Sequence, residues 1–123
     1  MDPMHRVETI THKGKSIIVV DLASIKPEEV PAVLREAKTR IAVLPVHSAL
    51  ILTDTTGAYF DKETTGALKD YASHNTPFVK ASAVVGADGL RAILLDGIRL
   101  LTGREIKSFK NREEALDWLA GHE

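Results

Sequence analysis

The chain contains no cysteine, which excludes a disulfide framework, a thiol nucleophile and any zinc site built from four cysteines. A reducing compartment suits such a chain, and a cytoplasmic location is expected. Charge of one sign is not in excess either. Sixteen Lys and Arg stand against seventeen Asp and Glu, a formal net charge of -1, so the broad electrostatic footprint of a nucleic-acid or anionic-membrane binder is missing and no nucleic-acid partner is expected. No apolar run approaches the roughly 20 residues of a membrane span, and the opening MDPMHRVETITHKG has no apolar signal core. Stable membrane insertion is not expected, and an unprocessed soluble protein is. Internal repeats, low-complexity tracts and long Gly/Ser/Pro linkers are also missing, so the 123 residues read as one compact domain over 1–123.

What is present alternates. Val7 to His12 pairs naturally with the branched apolar run Ser16 to Leu22 across a Lys13-Gly14-Lys15 turn, which predicts a hairpin leading into a central strand. After Pro27-Glu28-Glu29, Val30, Val33, Leu34, Ala37, Ile41 and Leu44 recur at helical spacing until Pro45. Ala49 to Thr53 reads as a strand, and Asp61 to Ser73 as a helix burying Leu68, Tyr71 and Ala72. Phe78 to Gly86 is the next strand. The following helix carries Leu90, Ile93, Leu94, Gly97, Ile98 and Leu101 as one stripe and is closed by Gly103. A short strand, Glu105 to Phe109, precedes a last helix capped by Asn111 with Glu114 three residues on, which is expected to bury Ala115, Leu116, Trp118 and Leu119. The predicted order is β-β-α-β-α-β-α-β-α: an α/β fold with a mixed, mostly parallel five-stranded sheet and an N-terminal hairpin. Right-handed crossovers between neighbouring strands would stack the helices largely along one side.

The segment Leu52-Thr53-Asp54-Thr55-Thr56-Gly57, followed by Tyr59-Phe60-Asp61 and Gly66-Ala67-Leu68, resembles the STAS domain of anti-sigma factor antagonists. Val79 to Gly86, Gly89-Leu90 and the ending Phe109…Glu113-Glu114-Ala115…Trp118-Leu119 bring it nearest the SpoIIAA-like branch, and the likeness covers nearly the whole chain. The resemblance implies a SpoIIAA-like βα superhelix, shared with lipid-carrying CRAL-TRIO domains, and a regulatory, non-enzymatic interaction module. In the antagonists a kinase modifies a serine of an Asp-Ser-Ser-Gly at a helix start. The matching residues here are Asp61-Lys62-Glu63-Thr64, so the aspartate is kept while both serines and the glycine are replaced. Glu63 supplies a permanent negative charge where phosphate would have added about -1.5 to -2. Either the chain imitates the phosphorylated state or it has left the switch.

The candidate rim is Asp54, Thr55, Thr56, Asp61, Glu63 and Thr64. Asp54 has the position of a general base or ligand anchor at a strand's carboxyl end, and equally that of an Asp capping its own turn through Thr56 or Gly57. The threonines are candidate phosphate acceptors, Thr64 foremost, or ordinary local hydrogen-bonders. Gly86-Ala87-Asp88-Gly89, with Lys80 and Arg91, is a weaker candidate for an anion-binding turn. His5, His12, His47, His74 and His122 show no metal-ligand spacing, and no catalytic motif, metal or cofactor is expected. Ala92, Leu95 and Leu100 fall outside the apolar stripe of their helix. They are candidates for a homodimer interface, where two leucines would contribute on the order of 3 to 5 kcal/mol, or for a broad buried face. The alternative function is a carrier of a small apolar ligand, since many aliphatic side chains and three phenylalanines are there to line a pocket.

Overall fold

The computed structural model describes residues 3–122; residues 1, 2 and 123 of the expected domain lie outside the described residues. Strands β1 (Val7–His12) and β2 (Lys15–Asp21) form the hairpin, with His12 opposite Lys15. Its two-residue loop, Lys13-Gly14, has φ of 49° and 81°, the doubly left-handed backbone that matches the twist of paired strands. Strands β3 (Ala49–Asp54), β4 (Val79–Val85) and β5 (Ile106–Phe109) join in chain order, each parallel to the one before. Helices α1 (Val30–Ala42), α2 (Lys62–Asn75) and α3 (Leu90–Thr102) make the crossovers, and α4 (Arg112–Ala120) follows β5. No helix among the described residues is long and apolar enough to cross a membrane.

The near-continuous apolar run of β2 is explained by burial on both faces. Ile18 and Val20 join Val33, Ile41, Ile51 and Leu68 under the crossover helices. Ile17 and Val19 join Leu52, Ala83, Ala115 and Leu119 on the opposite face, beneath α4. The expected stacking along one side therefore holds for α1, α2 and α3 and not for α4. Helix α4 instead covers the second apolar face that β2, β3 and β4 present. Ala81 and Ala83 give β4 the flat surface on which it rests.

Local chemistry sets most boundaries. Asn111 accepts the Glu114 N–H at 2.9 Å and starts α4. Pro27–Glu29 and Thr76–Phe78 form 3-10 turns, so α1 begins at Val30 and β4 at Val79, while α1 stops at Ala42, three residues before Pro45. Leu68, Tyr71 and Ala72 are buried as their spacing predicts. In α4, Ala115 and Leu119 are buried, whereas Leu116 and Trp118 are half-buried; the Trp118 ring packs 5.6 Å from Phe109 and edge-on to His122.

Helix α3 is rotated relative to the expectation from its stripe. Leu90, Ile93 and Leu101 are 79%, 67% and 57% exposed, and Leu95, placed outside the stripe, is the one fully buried residue of the helix. Two arginines four residues either side of Leu95 fix this rotation. Arg91 donates to the carbonyls of Gly86 (3.1 and 2.9 Å) and Ala58 (2.9 Å), and Arg99 donates to Ile106 O at 2.8 and 2.6 Å. Those carbonyls lie on the loops after β3 and β4 and on edge strand β5, and the Gly86 carbonyl also accepts the Asp88 N–H at 3.0 Å. Binding them turns the Arg91-Leu95-Arg99 side inward; of the expected stripe, Leu94 and Ile98 still pack against the core, while Leu90, Ile93 and Leu101 face solvent.

Candidate functional site

The carboxyl ends of the parallel strands gather the polar residues. Asp54, the last residue of β3, is buried; its Oδ1 accepts the Thr56 N–H at 3.0 Å and the Thr56 hydroxyl at 2.7 Å, and its Oδ2 accepts Arg112 Nε–H at 2.8 Å. Arg112, the first residue of α4, also reaches Asp21 at the end of β2, Nη2 to Oδ1 at 3.3 Å. Asp21 in turn accepts the Ala23 N–H at 2.9 Å. Burial works to raise the Asp54 pKa, but the two Thr56 hydrogen bonds and the Arg112 charge outweigh it and hold the carboxyl below its ordinary value. Burial likewise opposes the charge on Arg112, and its two carboxylate partners raise its pKa in spite of it. Asp54 thus acts as a turn cap and as the anchor of α4 on the sheet. Three of the roughly four acceptor sites of the Asp54 carboxylate are taken by these bonds.

The neighbouring loop is packed as tightly. Thr55 is buried and donates both its N–H (2.8 Å) and its hydroxyl (2.9 Å) to Val85 O. Gly86 follows with φ +77°, and a Cβ there would lie 2.8 Å from Thr56 Cα and nearer still to Thr56 Oγ1. Two strand-end loops touch at this point, and glycine permits the approach.

Asp61 caps α2, accepting the Thr64 N–H at 2.8 Å. The Thr64 side chain and backbone together hold the exposed Asp61 carboxyl below its ordinary pKa. Thr64, the foremost candidate phosphate acceptor, is itself buried, 5% exposed. Glu63 and Lys62 are exposed on the same turn. The six rim residues therefore fall into two groups, the saturated Asp54-Thr55-Thr56 turn and the Asp61-Glu63-Thr64 helix start. Of the residues named with the weaker anion-turn candidate, Arg91 donates to backbone carbonyls, and Lys80 lies at the opposite end of β4 from Gly86.

No protein-family model, curated protein or solved structure gives a significant match to this chain.

The most distinctive surface is α3. Leu90, Ile93, Leu100 and Leu101 are between 57% and 87% exposed on one face, beside Tyr59 at 65%. Gly97 lies among them, and a Cβ there would meet only the end of the Lys69 side chain, at 3.7 Å. Of the dimer candidates, Leu100 stands on this face, Ala92 is half-buried, and Leu95 is buried toward the sheet. Sequence reasoning placed Leu90, Ile93 and Leu101 in the core; the signal that relocates them is the Arg91-Leu95-Arg99 spacing. The pairing of Arg112 with Asp54 and Asp21, 58 residues or more away in sequence for Asp54, leaves no local trace.

Proposed function

We propose that this protein is a non-enzymatic interaction module of STAS-like design, without the serine phosphorylation switch, and that it pairs with a second copy of itself through the outer face of α3. The observation that carries the reading is the helix itself, a 13-residue helix burying only Leu95 while presenting four large aliphatic side chains to water. Contiguous exposed apolar surface of that kind marks an interaction site.

A second copy is favoured by what surrounds the face. Arg99 is engaged by Ile106 O and by Asp96 Oδ1 at 2.8 Å, and Arg91 is turned inward. Lys69 reaches this face beside Gly97, a single lysine rather than the ring of cations that an anionic membrane or an acidic partner would call for. Leu90, Ile93, Gly97 and Leu101 follow the i, i+3, i+4 spacing by which one helix meets another, and the small Gly97 lets two α3 helices approach closely. A two-fold axis through such a row makes one patch complementary to itself. Burial is worth about 1.5 to 3 kcal/mol for each Leu or Ile. Eight such side chains in a pair are of the size needed to offset the roughly 4–15 kcal/mol cost of association.

The non-enzymatic part of the reading rests on the Asp21, Asp54 and Arg112 groups already satisfying one another. Loss of the switch rests on the buried Thr64. The chain's lack of cysteine offers a direct test. Leu100→Cys places a single thiol on the proposed interface, and mild oxidation should convert most of the protein to a covalent dimer. Glu113→Cys, exposed on α4 across the sheet, should remain largely monomeric. Equal cross-linking at the two positions would remove α3 as the pairing surface.

A further inference from the structure

Between α2, α3 and the sheet lies a cavity of about 90 Å³. Its wall is apolar along Ile51, Leu68, Leu95 and Ile98, and polar where Tyr71, Asn75, Ser82 and Arg104 meet. Four buried side-chain polar atoms have no hydrogen-bond partner among the described residues, and three of them belong to this wall: Tyr71 OH, Asn75 Oδ1 and Arg104 Nε. Burying a polar atom without a partner is unfavourable, so three converging on one cavity point to a missing partner rather than to chance.

The chemistry of that partner follows from the donors. Arg104 binds Ser82 Oγ at 3.0 Å and Ala72 O at 3.1 Å, both neutral acceptors, and has no ion pair among the described residues. Burial of this uncompensated guanidinium lowers its pKa. Burial pushes the Tyr71 hydroxyl well above its ordinary value, against the pull of the Arg104 charge and of the Asn75 amide beside it, so Tyr71 remains a neutral O–H donor. A half-buried cation with a free N–H, next to a neutral hydroxyl and an amide, makes a receptor for an anion. The apolar remainder makes room for a hydrocarbon tail.

We infer that the cavity is a binding site for a short-chain aliphatic monocarboxylate, with its carboxylate at Arg104 and Tyr71 and its tail against Leu95 and Ile98. A dry cavity of about 150 Å³ admits the six carbons of benzene, so by proportion about 90 Å³ takes about four non-hydrogen atoms, a carboxylate carrying a single methyl group. The carboxylate accepts Arg104 Nε–H and Tyr71 O–H, and Asn75 donates once its amide presents nitrogen to the anion. Arg91, which also lines the cavity, has each of its three nitrogens bonded to a backbone carbonyl, whereas Arg104 Nε has no partner among the described residues, which makes Arg104 the end that recognises charge. This site is separate from the outer face of α3.

The probe is sodium acetate, titrated into isotopically labelled protein and followed by amide and methyl chemical shifts, with acetamide as the uncharged isostere. Saturable shifts are expected at Leu95, Ile98 and the Tyr71–Asn75 turn, with acetamide at least about tenfold weaker, the equivalent of one lost charge-assisted hydrogen bond. Tyr71→Phe keeps the ring and removes one unpaired hydroxyl. It should melt at or above the wild-type temperature while weakening acetate by about tenfold. Equal responses to acetate and acetamide, shifts scattered outside the cavity, or no saturation at millimolar acetate would each overturn the inference. The first titration needs no variant, so misfolding of Tyr71→Phe would not rescue it.

Discussion

Gly86 and Asp54 illustrate how much of this molecule turns on single residues. Gly86 has φ +77° and no space for a Cβ against Thr56, whereas Gly14 has φ +81° in open surroundings. Alanine at either position meets the left-handed penalty of about 1 to 2 kcal/mol, and overpacking adds about 1 to 3 kcal/mol at Gly86 alone. Urea unfolding should therefore rank Gly86→Ala well below Gly14→Ala; equal losses would mean that the β3 and β4 loops do not touch as described. For Asp54, the folded-state pKa lies below the ordinary value. A depressed carboxyl stabilises above its unfolded pKa of about 3.9, and that stabilisation is lost as pH falls through the lower folded value. Asp54→Asn should cost about 1.5 to 3 kcal/mol at neutral pH through the weakened hydrogen bonds to Arg112. It should also flatten the fall in stability below about pH 4, a comparison made by denaturant melts over a pH series. Asp54 was legible as a turn residue from Asp-Thr-Thr-Gly, because an Asx turn involves near neighbours in sequence. Its salt link to Arg112 was not, because nothing in a local pattern records which residue 58 positions on will return to it.

Individual elements were legible in proportion to how much of their determinants are local. The Lys13-Gly14 turn, the Asn111 cap and the Gly103 stop, with its left-handed φ of 66°, each declare themselves within a few residues. Helix α3 was legible as a helix and not in its orientation. Periodicity reports that one side is apolar, not which side meets the sheet, and here two arginine-to-carbonyl links turned Leu90, Ile93 and Leu101 to solvent. A consequence is uneven stability. Helix α1 buries Val30, Val33, Leu34, Ala37 and Ile41, and α3 buries Leu95 alone. Few buried contacts give local opening at low free energy, so hydrogen exchange on dilute protein should release α3 amides well before those of α1. Raising the protein concentration should protect α3 selectively if a second copy covers it. Exchange of α1 first, or protection that ignores concentration, would contradict this ordering.

At the scale of the whole molecule, the strand order β1-β2-β3-β4-β5 follows from the predicted element sequence together with short right-handed crossovers, which is why the fold could be read from the chain. The position of α4 on the far face could not, since it rests on the two-sided burial of β2, β3 and β4 rather than on any property of α4's own sequence. With both sheet faces covered, Leu90, Ile93, Leu100 and Leu101 are left as apolar surface that the fold does not use. The cavity beneath the same helix belongs to its other side, so pairing and ligand binding are separable by mutation. Sedimentation equilibrium of the wild-type chain beside Leu100→Glu bears most directly on the pairing. A wild-type dimer that dissociates at least about a hundredfold more readily in Leu100→Glu, at unchanged thermal stability of the subunit, is expected from burying one charge per copy in an apolar interface. A wild-type chain that remains monomeric at hundreds of micromolar, or a dimer indifferent to Leu100→Glu, would contradict it.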